Sequence, residues 1–335
     1  MATQPAQAQS TGVGSMPGSD IHESVKVAVD QCPEFAFVPE LPERGAVAAM
    51  IGRTTALLSG LGVDLQPAGW RLTDASGIDH RRAISLLGED LDAVEEHTQG
   101  YEGRLKVQVT GPWTLAASVE LPRGDKVLGD HGARRELAQS LAEGVRDHIA
   151  DVRRRVPGAE VVVQVDEPTL PAVLTGSITT ASGFHRHRTV DVAAADQALR
   201  GITDAVRESD ASPVVHVCAS EIPIELLSGS GFDAIGFDLT AIDKAAIDPW
   251  AEAFEAGVDL WPGIVPTIDP TEPLSVAAHV RQVESWYAAL GFGPQQYGGR
   301  LTVTPSCGLA SASPAWAPRA LAHARRVAEG ISGGE

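Results

Sequence analysis

The chain has 335 residues, 43% of them hydrophobic. That is enough apolar material for a sizeable core, at a length where α/β barrels commonly form one domain. The formal net charge of -18, with no Lys/Arg run of the kind that tracks a phosphate backbone, argues against nucleic acid as a partner.

No stretch reaches the roughly 20 apolar residues of a membrane span, and the N-terminus lacks a charged region followed by an apolar one. The three cysteines, Cys32, Cys218 and Cys307, are too few and too odd for a disulfide framework. The expectation is a soluble, cytoplasmic protein whose thiols are reduced or bind metal, with its surplus carboxylates on solvated helix faces.

In chain order, residues 1–11 are small and polar and are expected to fray, as is the tail at 332–335. Between them, short β-rich runs alternate with segments of helical period, each run ending in a turn signal. The candidate strands are residues 12–16, 62–66, 105–110, 160–166, 213–218, 233–238, 258–263 and 300–304. The candidate helices are residues 79–98, 133–156, 193–208, 241–256, 274–290 and 315–331. Alternation of this kind implies βα units and a parallel sheet. Eight strands suit a closed (β/α)8 barrel spanning 12–331 as a single domain; a doubly wound open sheet would give a similar pattern. The run Val161, Val162, Val163, Gln164, Val165 is nearly all apolar, as parallel strands covered on both faces require. Residues 174–190 are too long and polar for a tight connection, which suggests a lid or a partner-binding loop.

In such a barrel the site lies where strands give way to loops at their C-terminal ends. His216 and Cys218 alternate onto one face of a strand, about 7 Å apart, and both can reach one ion. Cys307 follows a different strand that a barrel brings to the same mouth. A His/Cys/Cys set suits Zn2+ in tetrahedral geometry, with roughly 2.3 Å to sulfur, and leaves one position open. Asp238, at the end of the next strand, is the candidate fourth ligand, and Glu221 the alternative; Asp238 equally suits helix capping. Zinc held by two thiolates favours binding and deprotonation of an incoming thiol, hence alkyl transfer to sulfur.

Asp166 or Glu167 can receive a substrate ammonium group, or cap a short helix from Pro168. The loop Gly14, Ser15, Met16, Pro17, Gly18 offers N–H groups and a hydroxyl to a carboxylate. Cys32 reads as a buried or helix-end thiol, and His185 and His187 as exposed loop residues.

Six segments together resemble the C-terminal catalytic half of cobalamin-independent methionine synthase: GSMP from Gly14, VTGPWTLA from Val109, VQVDEP from Val163, HVC from His216, IGFD from Ile235 and PSCGL from Pro305. The resemblance runs over nearly the whole chain and implies a (β/α)8 barrel, a zinc cofactor and methyl transfer to the thiol of homocysteine. It further implies zinc ligation by His216, Cys218 and Cys307, with Asp238 where the family has a glutamate ligand, and homocysteine contacts from Ser15 and Asp166.

Two positions depart from the family. In GVDLQPAGWRL, Trp70 or a neighbour stands where an amine-binding glutamate is expected, and in GIVPTIDP, Thr267 or Ile268 replaces a histidine. The chain also lacks the N-terminal barrel that handles polyglutamyl folate in full-length members, which points to another donor, a methylated corrinoid or a corrinoid protein. Trp70, Trp113 and Trp261 either line that donor's approach or pack the barrel. The competing readings are a uroporphyrinogen decarboxylase-like methylcobamide:thiol methyltransferase and a non-catalytic barrel that binds zinc or an amino acid. GSMP, DEP and PSCGL favour the methionine-synthase reading over the first of these.

Overall fold

The computed structural model describes residues 7–243 and 246–333. The outer parts of the two expected frayed ends, residues 1–6 and 334–335, lie outside the described residues. The strands are β1 (Gln9–Ser10), β2 (Phe35–Phe37), β3 (Gly62–Gln66), β4 (Gly69–Thr73), β5 (Arg104–Thr110), β6 (Glu160–Asp166), β7 (Ser212–Val217), β8 (Ala234–Asp238), β9 (Asp259–Val265) and β10 (Thr302–Pro305). The helices are α1 (Ile21–Gln31), α2 (Met50–Thr55), α3 (Ile78–His97), α4 (Pro112–Ser118), α5 (His131–Arg155), α6 (Leu170–Leu174), α7 (Val192–Glu208), α8 (Ile224–Gly229), α9 (Asp248–Glu255), α10 (Val276–Ala289), α11 (Pro294–Tyr297) and α12 (Trp316–Ser332).

Eight strands form one sheet in the order β1-β10-β9-β8-β7-β6-β5-β2, and every neighbouring pair is parallel. That is chain order wrapped around an axis, the signature of a single (β/α)8 barrel. The two ends of the sheet meet through a parallel bridge between Ser15 and Glu40, where Met16 N donates to Glu40 O at 2.8 Å and Glu40 N to Gly14 O at 3.1 Å. Among the described residues no helix is long and apolar enough to cross a membrane.

The wall follows from side-chain alternation. On β6, Val161, Val163 and Val165 point into the large core shared with the helices, whereas Val162 belongs to a separate cluster with Phe35, Val214, Ala234 and Trp261. That second cluster is the floor of the barrel, with the Phe35 and Trp261 rings edge to face at 5.4 Å. Above the floor the same parity carries Lys106, Gln164, Asp166 and His216, all buried. An apolar floor under a polar upper layer restricts hydrogen-bonding chemistry to the mouth. The outer ring is amphipathic: α5 buries Leu137, Leu141, Val145, Ile149 and Val152, one stripe of a 3.6-residue period, behind an Asp130 cap whose side chain accepts from Ala133 N.

Four expectations are corrected. The first strand is not 12–16 but β1, two residues inside the segment expected to fray. Gln9 N bonds to Leu301 O at 2.9 Å and Thr11 N to Val303 O at 3.2 Å, and Thr11 is fully buried. Residues 62–66 are a strand, yet they pair antiparallel with β4 as a separate two-stranded hairpin; Gly69 at φ 132 supplies the turn conformation that side chains disfavour. The barrel's second strand is β2, three residues long and too short for a periodicity to register. The helix expected at 241–256 begins at Asp248 with a proline at its start, a position where proline's missing N–H costs nothing.

Candidate functional site

His216 and Cys218 come from the end of β7 and the first residue beyond it, and Cys307 from just after β10. Their ligand atoms lie within 4.8 Å of one another. His216 is 5% exposed, and its Nε2 is buried with no hydrogen-bond partner, an arrangement that costs free energy unless something else satisfies the nitrogen. The Cys218 thiol donates to Cys307, which holds Cys307 down as the thiolate and pushes Cys218 up. His216 adds to the depression of Cys307. An imidazole nitrogen without a partner beside two soft sulfur atoms fits a zinc-type divalent ion.

Asp166 is the register partner of His216 across β6 and β7. Burial pushes its carboxyl up, against the opposing pull of His216 and Lys106. A chain of hydrogen bonds fixes its direction: Gln164 Nε2 donates to Asp166 Oδ1 at 2.8 Å, and Lys106 Nζ donates to Gln164 Oε1 at 2.6 Å and to Val13 O at 2.7 Å. The same lysine therefore braces Asp166 and the loop that carries Ser15. Ser15 reaches the mouth from the other side, where Leu309 N donates to Ser15 O at 2.7 Å. A Cβ built on Gly308 would lie 2.0 Å from Ser15 Oγ, so the glycine after Cys307 is what lets the serine approach.

Glu167 settles the capping question in an unexpected way. It is fully buried and caps α4 rather than a helix at Pro168: Oε1 accepts from Trp113 N at 2.9 Å, while Oε2 accepts from Thr114 N at 2.9 Å and Thr114 Oγ1 at 2.7 Å. A Cβ on Gly111 would come within 2.2 Å of Glu167 Oε1, which is why the TGP segment places glycine there. With Glu167 committed to structure, Asp166 is the member of the pair facing the site.

Asp238 does not join the three donors. Its Oδ1 accepts from Thr240 N at 2.8 Å and from Thr240 Oγ1 at 2.6 Å, closing its own turn in the manner of a short polar side chain at a strand end. The structure therefore brings together three of the four expected donors and leaves Asp238 outside that group. Glu221 is likewise outside the donor group; it is exposed and lines a cleft of about 910 Å3 with Ile222 and Trp250.

Trp70 is 5% exposed on the β3–β4 hairpin and belongs to the main core. Trp261 lies in the barrel floor, and Trp113 donates Nε1 to Ala195 O at 3.2 Å. These three tryptophans are chiefly packing. Residues 174–190 are anchored by a bridge between Thr179 and Arg186 and by His187 on Asp125 at 3.2 Å, so His187 is tucked in rather than exposed. Cys32 is the buried helix-end thiol expected, pushed up to about 12 by burial.

Reading from sequence missed Lys106 and Gln164. A signal existed: each places a polar group on an otherwise apolar, covered strand, at the parity of the barrel interior.

The chain matches the family model described as "Cobalamin-independent synthase, Catalytic domain" over residues 93–330. That span holds Asp166, His216, Cys218 and Cys307 but neither Ser15 nor Trp70. No curated protein matches the chain. Among solved structures, a B12-independent methionine synthase from Shewanella sp. W3-18-1, in complex with selenomethionine, shares 11% identity over 97% of this chain and 98% of that one, with a TM-score of 0.60. The chitobiase of Flavobacterium johnsoniae shares 9% identity over 97% of this chain and 51% of its own, with a TM-score of 0.52. Two such different proteins on one fold show that these likenesses speak for the barrel alone.

Proposed function

Because the chain belongs to the family of cobalamin-independent synthase catalytic domains, we propose that it is a zinc-dependent methyltransferase that methylates the thiol of homocysteine to give methionine. The observation that carries this reading is the convergence of His216, Cys218 and Cys307, with the buried, partnerless Nε2 of His216 among them. A zinc ion held by these three residues would supply Lewis acidity that favours thiolate over thiol at neutral pH.

The rest of the work falls to the chain's own residues. Asp166, braced through Gln164 by Lys106, receives the substrate ammonium group by a charge-assisted hydrogen bond. Ser15 and the loop around it receive the substrate carboxylate. With both ends of the amino acid fixed, its sulfur is aimed at the donor group, and positioning of this kind supplies much of the rate. The S–CH3 bond forms as the donor–CH3 bond breaks, and the thiol proton leaves to solvent.

The donor we favour is a methylated corrinoid or a corrinoid protein, since Thr267 or Ile268 stands where the family has a histidine. The test is zinc content and zinc-edge X-ray absorption before and after adding homocysteine, with turnover on methylcobalamin and on methyltetrahydrofolate. One zinc per chain that gains a sulfur neighbour, and loss of both signal and turnover in Cys307→Ser, is the expected result. Absence of zinc, or full turnover by Cys307→Ser, overturns the mechanism; turnover on methyltetrahydrofolate alone overturns the donor.

A further inference from the structure

On the outer ring of helices, two histidines and a carboxylate converge from segments far apart in the chain. His22 stands in the first turn of α1, and Glu96 and His97 stand in the last turn of α3. Their ligand atoms lie within 4.8 Å of one another. α1 packs on α3. Val25, one turn beyond His22, and Ala93 and Val94, one turn before His97, are buried in the main core. Core packing therefore sets the distance between the two helices, and the polar groups are presented by rigid elements rather than by a loop. Adjacent residues on a helix diverge, so Glu96 and His97 come together only because His22 of the other helix lies between them.

His22 Nδ1 lies 3.2 Å from His97 Nε2 and 3.5 Å from Glu96 Oε2. The two imidazole rings stand edge to face rather than stacked, at 89° with centroids 5.4 Å apart. A tetrahedral ion about 2.0 to 2.1 Å from its nitrogen ligands holds neighbouring donor atoms roughly 3.3 Å apart. The two observed separations bracket that value. A hydrogen bond explains less: a single N–H on His22 serves one acceptor and leaves the other without a donor, whereas one cation satisfies all three atoms.

The cations nearby are engaged elsewhere. Lys26 lies 3.7 Å from Glu23, and Arg155 pairs with Asp92, Glu95 and Asp151. Among the described residues Glu96 pairs with His22 alone. His22 and Glu96 are exposed, so an ion can enter from solvent, and a formal net charge of -18 concentrates divalent cations at the surface. Two imidazole nitrogens and one carboxylate oxygen suit Zn2+, Ni2+ or Cu2+ and are poor ligands for Mg2+ or Ca2+.

We propose that His22, Glu96 and His97 form a surface site for a zinc-type divalent ion, which clips the first turn of α1 to the last turn of α3. Its consequence is structural. α1 follows the loop that carries Ser15, and α3 supplies Asp90, the carboxylate that holds Arg44 and Arg53. An ion across these helices ties the exit of that loop to the element that braces it. None of its donors is shared with the His216 cluster, so the site stands apart from the methyl-transfer reading.

The experiment is calorimetric titration of the whole chain with zinc chloride at about pH 7.5, where imidazole binds metal in competition with few protons. Wild type is compared with His22→Ala and His97→Ala, and His185→Ala serves as the control that removes an exposed loop histidine. Thermal midpoints with and without zinc are recorded for each. His22→Ala and His97→Ala are each expected to bind one zinc fewer than wild type, or to bind it at least about tenfold more weakly. His185→Ala is expected to match wild type, and zinc to raise the midpoint of wild type more than that of His22→Ala. The readout is a difference, so it does not depend on the mouth: one zinc in wild type and none in His22→Ala would support this site while removing zinc from His216, Cys218 and Cys307. Equal zinc stoichiometry and affinity in wild type, His22→Ala and His97→Ala, or an equal loss in His185→Ala, overturns the proposal.

Discussion

Gly308 has the backbone freedom of any residue in its conformation, and what constrains it is the 2.0 Å between a built Cβ and Ser15 Oγ. Gly308→Ala therefore has to turn the Ser15 hydroxyl out of its present position and press on Ser15 Cβ, 3.2 Å from the built atom, while His216, Cys218 and Cys307 keep their own backbone. Displacing a positioning group by about an ångström costs up to roughly a hundredfold in rate. The expected outcome is at least about a tenfold rise in KM for homocysteine with zinc content unchanged, read by steady-state kinetics and metal analysis. An unchanged KM would place the amino acid away from Ser15. The convergence of His216, Cys218 and Cys307 was legible because His216 and Cys218 share one strand parity and Cys307 follows a separate strand that the barrel closes onto them. The Ser15–Gly308 contact was not, since it joins opposite ends of the chain and depends on how the barrel shuts. Asp238 was placed correctly at a strand end, but its direction was not legible, because a local turn to Thr240 orients its Oδ1.

At the scale of elements, the first loop is held from outside the barrel by buried charge. Asp90 of α3 is fully buried and accepts from Arg44 Nη1 at 2.7 Å and Nη2 at 2.8 Å, and also from Arg53 of α2. Arg53 in turn lies 3.4 Å from Glu40, the residue bridged to Ser15. Removing the shared carboxylate leaves Arg44 without its ion-pair partner and Arg53 with Glu40 alone, and breaking a buried pair this way costs about 3 to 5 kcal/mol. Asp90→Ala is expected to lower the urea midpoint by that equivalent; a loss under about 1 kcal/mol would mean that the arginines re-pair or reach water. Nothing in the local pattern of α3 marks Asp90 as buried, because its partners come from two segments some 40 residues earlier. Strand legibility has a similar physical limit. The long strands from β5 onward announce themselves by continuous apolar runs, whereas the three-residue β2 carries no period. The hairpin β3–β4 looks like any βα strand until its antiparallel partner is known.

For the molecule as a whole, 44 acidic residues against 26 lysines and arginines set the average field. That average hides how stability responds to pH. His148, on the buried face of α5, is pushed down from 6.5 to about 4, first by burial and then by Arg53, with Asp151 opposing. Between those two values the unfolded chain binds a proton that the folded chain refuses, so this residue makes stability fall as pH drops below about 6.5. The size is about 2 kcal/mol by pH 5. Glu167 acts in the opposite sense. Its carboxyl is pushed up to about 7 by burial, so in the window from 7 down to 4.5 the folded chain binds the extra proton, and stability rises as pH falls. The wild-type curve alone therefore cannot isolate either group, and the difference between wild type and His148→Gln can. In urea titrations at pH 7.5 and 5, wild type is expected to lose about 2 kcal/mol relative to the variant. Parallel curves would show that His148 titrates normally and that α5 opens to water at that point.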